Sequence, residues 1–202
     1  PGGKLSAFTL GKYRFDSGPS LFTMPHYVND LFELFDEKPS DYFSYKKKKI
    51  SCQYFWDDLT ELTAYSDNSL YFDEVENKLG VKSSLLEKYL YRAKRKYNLT
   101  SPIFLERSLH KFEGFANIDT IKAILNLGLL EINQNLHSVN ATQLVEPHLV
   151  QIYDRYATYN GSSPFQTPGI MTLVQHLEQE FGTFIPTGGM EQITLSLFEL
   201  AK

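Results

Sequence analysis

The residues able to do acid–base, nucleophilic or metal chemistry are few in this chain, and they are dispersed. Five histidines, His26, His110, His137, His148 and His176, stand far apart, and no HExxH, CxxC, GxGxxG or GxxxxGK[ST] pattern occurs. Each histidine therefore reads as a surface or structural residue, and no metal site is expected. Asp57-Asp58 is a carboxylate pair of the kind that can share acid and base roles. It lies between two runs of β-branched and aromatic residues, where a tight turn sends adjacent side chains to solvent. Cys52, the single cysteine, sits in an apolar alternating run as buried filler and excludes an internal disulfide framework.

The elements that would carry these residues alternate between hairpins and helices. Residues 4–10 and 12–16 flank Leu10-Gly11 and predict a β-hairpin, ended by Asp16-Ser17-Gly18-Pro19-Ser20. Pro25 opens a helix to Phe35 with Val28, Leu31, Phe32 and Phe35 on one face. Residues 50–56 and 59–65 form a second hairpin around Asp57-Asp58. Ser84 and Glu87 predict a capping box for a helix to about Tyr97, with Leu85, Leu86, Tyr89, Leu90 and Ala93 inward and Lys94, Arg95 and Lys96 at its C-terminal end. Shorter helices are expected over 103–110 and 120–127. Pro147 starts a helix through Tyr156, broken by residues 160–164. Thr167-Pro168 then caps a helix whose buried stripe is Ile170, Leu173, Val174, Leu177 and Phe181, ended by Gly182. An extended segment, 183–186, leads through Gly188-Gly189-Met190 to a terminal helix. The fold class is α+β.

Composition narrows the partners. A net charge of -4 over 202 residues gives no pull toward nucleic acid, and the basic run 46–49 reads as a solvated strand edge. No stretch approaches the roughly 20 apolar residues of a membrane-spanning helix. The 15 Phe and 13 Tyr exceed what a core of this size ordinarily needs. They suit either an apolar ligand channel or dense aromatic packing.

Three segments resemble one family. Gly2-Gly3-Lys4, followed by a hairpin and Phe15-Asp16-Ser17-Gly18-Pro19-Ser20, is similar to the start of the flavoprotein amine oxidase and carotenoid desaturase superfamily, just after its dinucleotide fingerprint. Arg155-Tyr156-Ala157-Thr158-Tyr159-Asn160-Gly161 with Ser163-Pro164-Phe165 and Pro168 resembles bacterial phytoene desaturases more specifically. Pro186-Thr187-Gly188-Gly189-Met190 matches the same subfamily in the same order. The family more often carries Arg at the position of Lys4, so the bidentate grip of a guanidinium is forfeited. The middle of the chain, about 46–140, carries little of the signature.

The resemblance implies the substrate-side region of a two-domain FAD oxidoreductase. A cofactor-proximal hairpin would span 1–20, a substrate region 21–145, and a helical segment leading back to an FAD domain 146–202. Gly2, Gly3, Lys4, Asp16, Gly18, Pro19, Ser20, Gly188, Gly189 and Met190 would border FAD. Arg155, Tyr156, Tyr159, Pro164 and Phe165 would face an apolar polyene such as phytoene. No catalytic base is named. The implied location is cytoplasmic and peripheral at the inner membrane, with self-association open through exposed apolar surface. The chain looks cut from something longer, so FAD is expected in the whole protein and neither tight FAD binding nor turnover in these residues alone. Two other readings stay open: isomerisation, ketolation or saturation of a polyene on the same scaffold, and a non-catalytic helical binding module.

Overall fold

The computed structural model describes residues 3–108, 110 and 117–202. In chain order these form β1 (Ser6–Leu10), β2 (Tyr13–Ser17), α1 (His26–Glu33), β3 (Tyr45–Lys47), β4 (Ile50–Phe55), β5 (Glu61–Tyr65), α2 (Asn68–Leu79), α3 (Ser83–Phe104), α4 (Ile118–Leu125), α5 (Leu127–Leu130), α6 (Leu136–Leu144), α7 (Pro147–Asp154), α8 (Val174–His176), β6 (Phe184–Pro186) and α9 (Glu191–Leu200). Helix dominates, and the described strands pair only two at a time, as β1-β2, β3-β6 and β4-β5. The mixture of helices and small sheets agrees with an α+β class. The chain divides into two compact units, one of residues up to 53, 64–67 and 177–202, the other of 54–63 and 68–176.

In the first unit, β1 and β2 pair antiparallel with Leu10 opposite Tyr13, so Gly11, at φ +60°, and Lys12 make the turn. β3 pairs with β6 and places Tyr45 opposite Pro186. The unit's core is aromatic: Phe22, Phe32 and Phe43 are buried with Met190 and Ile193. Tyr45 meets the rings of Phe22 and Phe184 edge-on, at 5.6 and 5.5 Å between centroids. Edge-to-face contact lets the positive ring edge meet the negative face. Here the aromatic surplus fills a core. The stripe expected on α1 is narrower than its spacing implies, because Phe32 is buried while Leu31 and Phe35 are exposed. The basic run 46–49 is indeed strand-associated, with Lys46 and Lys47 in β3.

In the second unit, α3 runs seven residues beyond the expected Tyr97, with Pro102 in its final turn. The expected capping box does not form. Glu76 of α2 accepts from both the Ser83 N–H and the Ser83 hydroxyl, at 3.0 and 2.5 Å, so a neighbouring helix satisfies the start of α3. α6 was not signalled by periodicity; its side-chain cap is Asn135, which accepts from the Ser138 N–H at 2.8 Å. The helix expected over 103–110 lies partly outside the described residues, and α3 ends at Phe104. Thr167 does not cap the following segment but bonds back to the Ser163 carbonyl at 2.9 Å. That segment begins as a 3-10 turn, passes through α8 and, where the chain enters the first unit, widens to a π turn over Leu177–Phe181. The changing pitch moves the buried face onto Thr172, Val174, Gln175, His176 and Glu178, away from Ile170 and Leu173.

Lys96 was expected among the cations at the C-terminal end of α3; it lies eight residues before that end, with its side chain 1% exposed. Its ammonium pairs with Glu131 and donates to the Thr172 hydroxyl at 2.5 Å. Glu131 also accepts from Arg92 at 2.6 Å and from Gln143 at 2.9 Å. Burial lowers the Lys96 pKa from its ordinary 10.5, and Glu131 opposes that shift. At the tip of the β4–β5 hairpin, Asp58 does more than turn the chain. Its carboxylate accepts from the Thr60 N–H and pairs with His148 Nε2, both at 3.0 Å. His148 Nδ1 meets Glu146 at 2.8 Å, and the imidazole stands edge-on to Trp56 with centroids 4.6 Å apart.

Two predictions follow from these buried and bridged charges. Glu131→Ala leaves Lys96 buried without its carboxylate and should cost about 3–5 kcal/mol in urea unfolding at neutral pH. Lys96→Met should cost less, because Arg92 and Gln143 still serve Glu131; equal losses would contradict the assignment. The second concerns pH. Glu146 raises the pKa of His148 above its ordinary 6.5, so the charged bridge is complete below 6.5 and is lost as pH rises through the raised value. Hydrogen bonds from Thr60 lower Asp58 below 3.8, so its share is present above 3.8 and is lost as pH falls through the lowered value. Trp56 is the single tryptophan, and imidazolium quenches indole emission. Its fluorescence should therefore rise with a midpoint above pH 6.5, and His148→Gln should abolish the transition.

Candidate functional site

The Arg155–Phe165 region of the second unit is positioned by α7. Glu146 precedes this helix, its side chain accepting from the Leu149 N–H at 2.7 Å, and Pro147 occupies the first turn, where no amide hydrogen is needed. Beyond Asp154 the chain tightens into a 3-10 turn, Arg155–Asn160, which Gly161 closes at φ +61°. A Cβ there would strain the left-handed conformation, which explains the glycine.

Asp154, the last residue of α7, organises the surroundings. It accepts from Asn140 Nδ2 at 2.8 Å and meets His137 Nδ1 at 2.7 Å. Asn140 is fully buried and accepts from the Tyr89 hydroxyl at 2.7 Å. His137 in turn donates its backbone N–H to the Pro164 carbonyl at 3.1 Å and packs its ring 4.4 Å from that of Phe165. With Nδ1 donating to the carboxylate, Nε2 is the nitrogen left for other contacts.

A column of tyrosines runs beside this chain of bonds. Tyr89 and Tyr153 meet edge-on at 4.8 Å, and Tyr153, Tyr156 and Tyr159 follow in near-parallel steps of 6.1 Å. Arg155 lies 4.6 Å over the Tyr156 ring. Burial first, then neighbouring Asp154 and Glu131, raises the Tyr89 pKa well above 10.0. Burial and Tyr71 do the same for Tyr153. These phenols stay protonated and act as donors and walls. The column ends in the open, with Tyr159 44% and Phe165 60% exposed. The five residues expected to face substrate thus gather in one region, with Tyr156 buried inside it.

The residues expected to border a cofactor gather in the first unit, except Gly2, which lies outside the described residues. Asp16 accepts from Arg14 at 3.0 Å and from the Met190 N–H at 3.0 Å, tying β2 to the start of α9. Gly188 and Gly189 have φ of +90° and +94°. A Cβ on Gly189 would lie 2.2 Å from Arg14 Nη1, and one on Gly18 would lie 2.1 Å from the Lys4 carbonyl oxygen. Glycine is therefore required at 18 by contact with backbone, and favoured at 189 by its positive φ, since the atoms nearest there are movable side-chain ends. Gly3 has open space around it, and Lys4, Gly18, Pro19 and Ser20 are exposed.

Over 201 residues, all of this chain, the sequence is 47% identical to the 1-hydroxycarotenoid 3,4-desaturase of Flavobacterium sp. (strain P99-3). It is 25% identical to the carotenoid 3,4-desaturase of Haloarcula japonica and 28% identical to the 4,4'-diaponeurosporene oxygenase of Staphylococcus aureus, again along its whole length. Along its whole length the chain is thus similar to carotenoid desaturases. It spans 40–41% of the length of these curated relatives. No family model matches the chain.

Among the described residues of this carotenoid desaturase relative, no cluster of three or more His, Cys, Asp or Glu side chains could hold a metal ion. No described helix is long and apolar enough to cross a membrane. Sequence reasoning missed His137, Asn140 and Asp154. Asp154 directly precedes the family-like Arg155 motif, which was the available signal; His137 and Asn140 reach it only through the packing of α6 on α7, which no spacing announces.

The glycine requirement is testable. Gly18→Ala should cost about 1–3 kcal/mol from backbone strain and more from overlap with Lys4. Gly11→Ala, where the added carbon meets nothing within 4 Å, should cost only about 1–2 kcal/mol. Comparable urea midpoints for the two variants would refute the close packing at Gly18.

Proposed function

We propose that this sequence forms the substrate-side part of an FAD-dependent oxidoreductase that introduces a double bond into a carotenoid. The observation that carries the reading is the 47% identity along the whole chain to a protein named as a 1-hydroxycarotenoid 3,4-desaturase. Removing hydrogen from a polyene offers no polar handle to grip, so the protein must hold an apolar chain and exclude water. Tyr156, Tyr159 and Phe165 supply aromatic wall for that purpose, and Asp154 fixes the His137 ring that supports Phe165. Arg155 and Pro164 shape the loop.

Bound flavin would supply the hydride acceptor. The residues present fit a bordering role, because the turn Asp16-Ser17-Gly18-Pro19-Ser20 is exposed along its length. Lys4 adds a cation beside it, and Gly3 leaves open space where backbone could approach a ligand. Met190, directly after Gly188 and Gly189, holds this turn by donating its N–H to Asp16. The placement is peripheral to a cytoplasmic membrane face, where apolar substrate is delivered; Ile118, Ile121, Ile124 and Leu125 of α4 are exposed apolar surface suited to that contact or to self-association.

A second reading is favoured by one observation, the 28% identity to a 4,4'-diaponeurosporene oxygenase. Purified whole protein, given FAD and either a 1-hydroxylated carotenoid or its unhydroxylated counterpart, separates the two. Desaturation should lengthen conjugation, shift absorption to the red and give a product lacking one hydrogen pair. Addition of oxygen to the polyene would support the second reading, and unchanged carotenoid under conditions where another polyene reduces the flavin would remove the first. Residues 1–202 alone should purify without yellow flavin; a stoichiometric complex would contradict the division of labour.

A further inference from the structure

α4 is turned inside out. Asn117 caps it, accepting from the Asp119 and Thr120 N–H groups at 3.0 and 3.1 Å, and Arg107, just past α3, holds the Asp119 carboxylate at 2.8 Å. These bonds fix which side of the helix meets the protein. Ala123 is buried, Asp119 and Thr120 are half-buried, and the Thr120 hydroxyl is closed off with no partner among the described residues. The apolar stripe lies opposite. Ile118, Ile121 and Leu125, at i, i+3 and i+7, are 66%, 56% and 79% exposed, and Ile124 at their edge is exposed as well. A surface helix ordinarily presents such a stripe to its own core and its polar side to water.

The flank of α3 beside this helix is basic. Lys88, Arg92 and Arg95, at i, i+4 and i+7, share one face. Arg92 reaches Glu131, immediately after α5, at 2.6 Å, which turns that face toward the stretch holding α4 and α5. From α3 through α4, residues 83–125 hold eight Lys and Arg against four Asp and Glu, whereas the whole chain holds 20 against 24. The exposed charges of this stretch are Lys88, Arg95, Arg107 and Lys122 against Glu87 and Glu106. Asp119, the one carboxylate on α4, is neutralised by Arg107 and faces Lys122 at 3.8 Å. An apolar stripe bordered by cations matches a layer whose interior is hydrocarbon and whose surface is anionic. A second copy of this chain, packed two-fold on the same face, would instead bring the same cations toward each other.

We propose that α4 docks on an anionic lipid bilayer, with Ile118, Ile121 and Leu125 entering the acyl boundary and Lys88, Arg95 and Lys122 meeting the headgroups. The proposal rests on the peripheral placement put forward above and narrows it to one face and one partner.

The whole protein is floated with vesicles of phosphatidylcholine alone and of phosphatidylcholine containing about a third phosphatidylglycerol, a composition in which surface cations add to apolar insertion. Binding should favour the anionic vesicles and weaken as salt is raised. Lys88→Gln/Arg95→Gln should lower affinity for them about thirtyfold, the effect of removing two cations from a charged surface. Ile121→Ser/Leu125→Ser should abolish binding to both compositions. All four positions are exposed, so the urea midpoints of both double variants should hold. Turnover of a carotenoid delivered in detergent micelles reads the desaturase assignment separately, and both variants should retain it. Its absence from the unaltered protein would count against that assignment while vesicle flotation still judges the docking face. No binding, equal binding to the two compositions, an affinity unmoved by either double variant, or a concentration-dependent dimer that Ile121→Ser/Leu125→Ser dissolves would overturn the proposal.

Discussion

Lys96 has left water, and the second unit is organised around compensating it. An ammonium taken out of solvent is costly unless a counter-charge and further acceptors replace its hydration. Glu131 supplies the charge, and Thr172 supplies an acceptor from the 3-10 turn before α8. Glu131 does so from a left-handed backbone, an uncommon conformation for a residue with a side chain. Because Arg92 and Gln143 also close on the same carboxylate, α3, α6 and the turn after α5 are drawn to one point. The pair specifies geometry more than it adds stability, since apolar replacements of buried ion pairs are commonly neutral or better.

That anchoring has a functional corollary. α6 is fixed at Gln143 by Glu131 and at Asn140 by Tyr89 and Asp154. The ring of His137, on the same short helix, is thereby held against Phe165. Side chains placed on packed helices are positioned more precisely than those on loops. The exposed aromatic end at Tyr159 and Phe165 inherits its position from buried polar bonds several residues away.

The sequence made the punctuation of this fold legible and its polar interior illegible. Gly11, Gly161 and Gly182 mark ends that the structure confirms as left-handed positions, at φ +60°, +61° and +90°. Both hairpins, α1, α7 and α9 follow from turn residues, prolines and alternation, which are local physics. α6 was missed because its buried face contains Asn140 among Leu136, Val139 and Leu144, and a polar residue there interrupts an apolar pattern. α2 buries only Tyr71 and Val75, too little for periodicity to register. The stripe over 170–181 failed for another reason: it assumed one pitch where the chain uses three. Of the candidate site, the family-like loop could be read, whereas the Asp154 bonds that support it could not, because hydrogen-bond partners at separations of 14 and 17 residues leave no mark in spacing.

The close approach of Gly18 to the Lys4 carbonyl constrains how the first hairpin can vary among natural relatives. With the base pinned, the arms of β1 and β2 cannot slip by one residue without turning Phe8 and Phe15, now stacked at 5.3 Å, to the opposite face. The tip is under no such restriction, for nothing lies within 4 Å of a side chain grafted at Gly11. Length variation should therefore accumulate at the apex and be purged from the arms, leaving a clamp of constant span beneath a loop free to diversify.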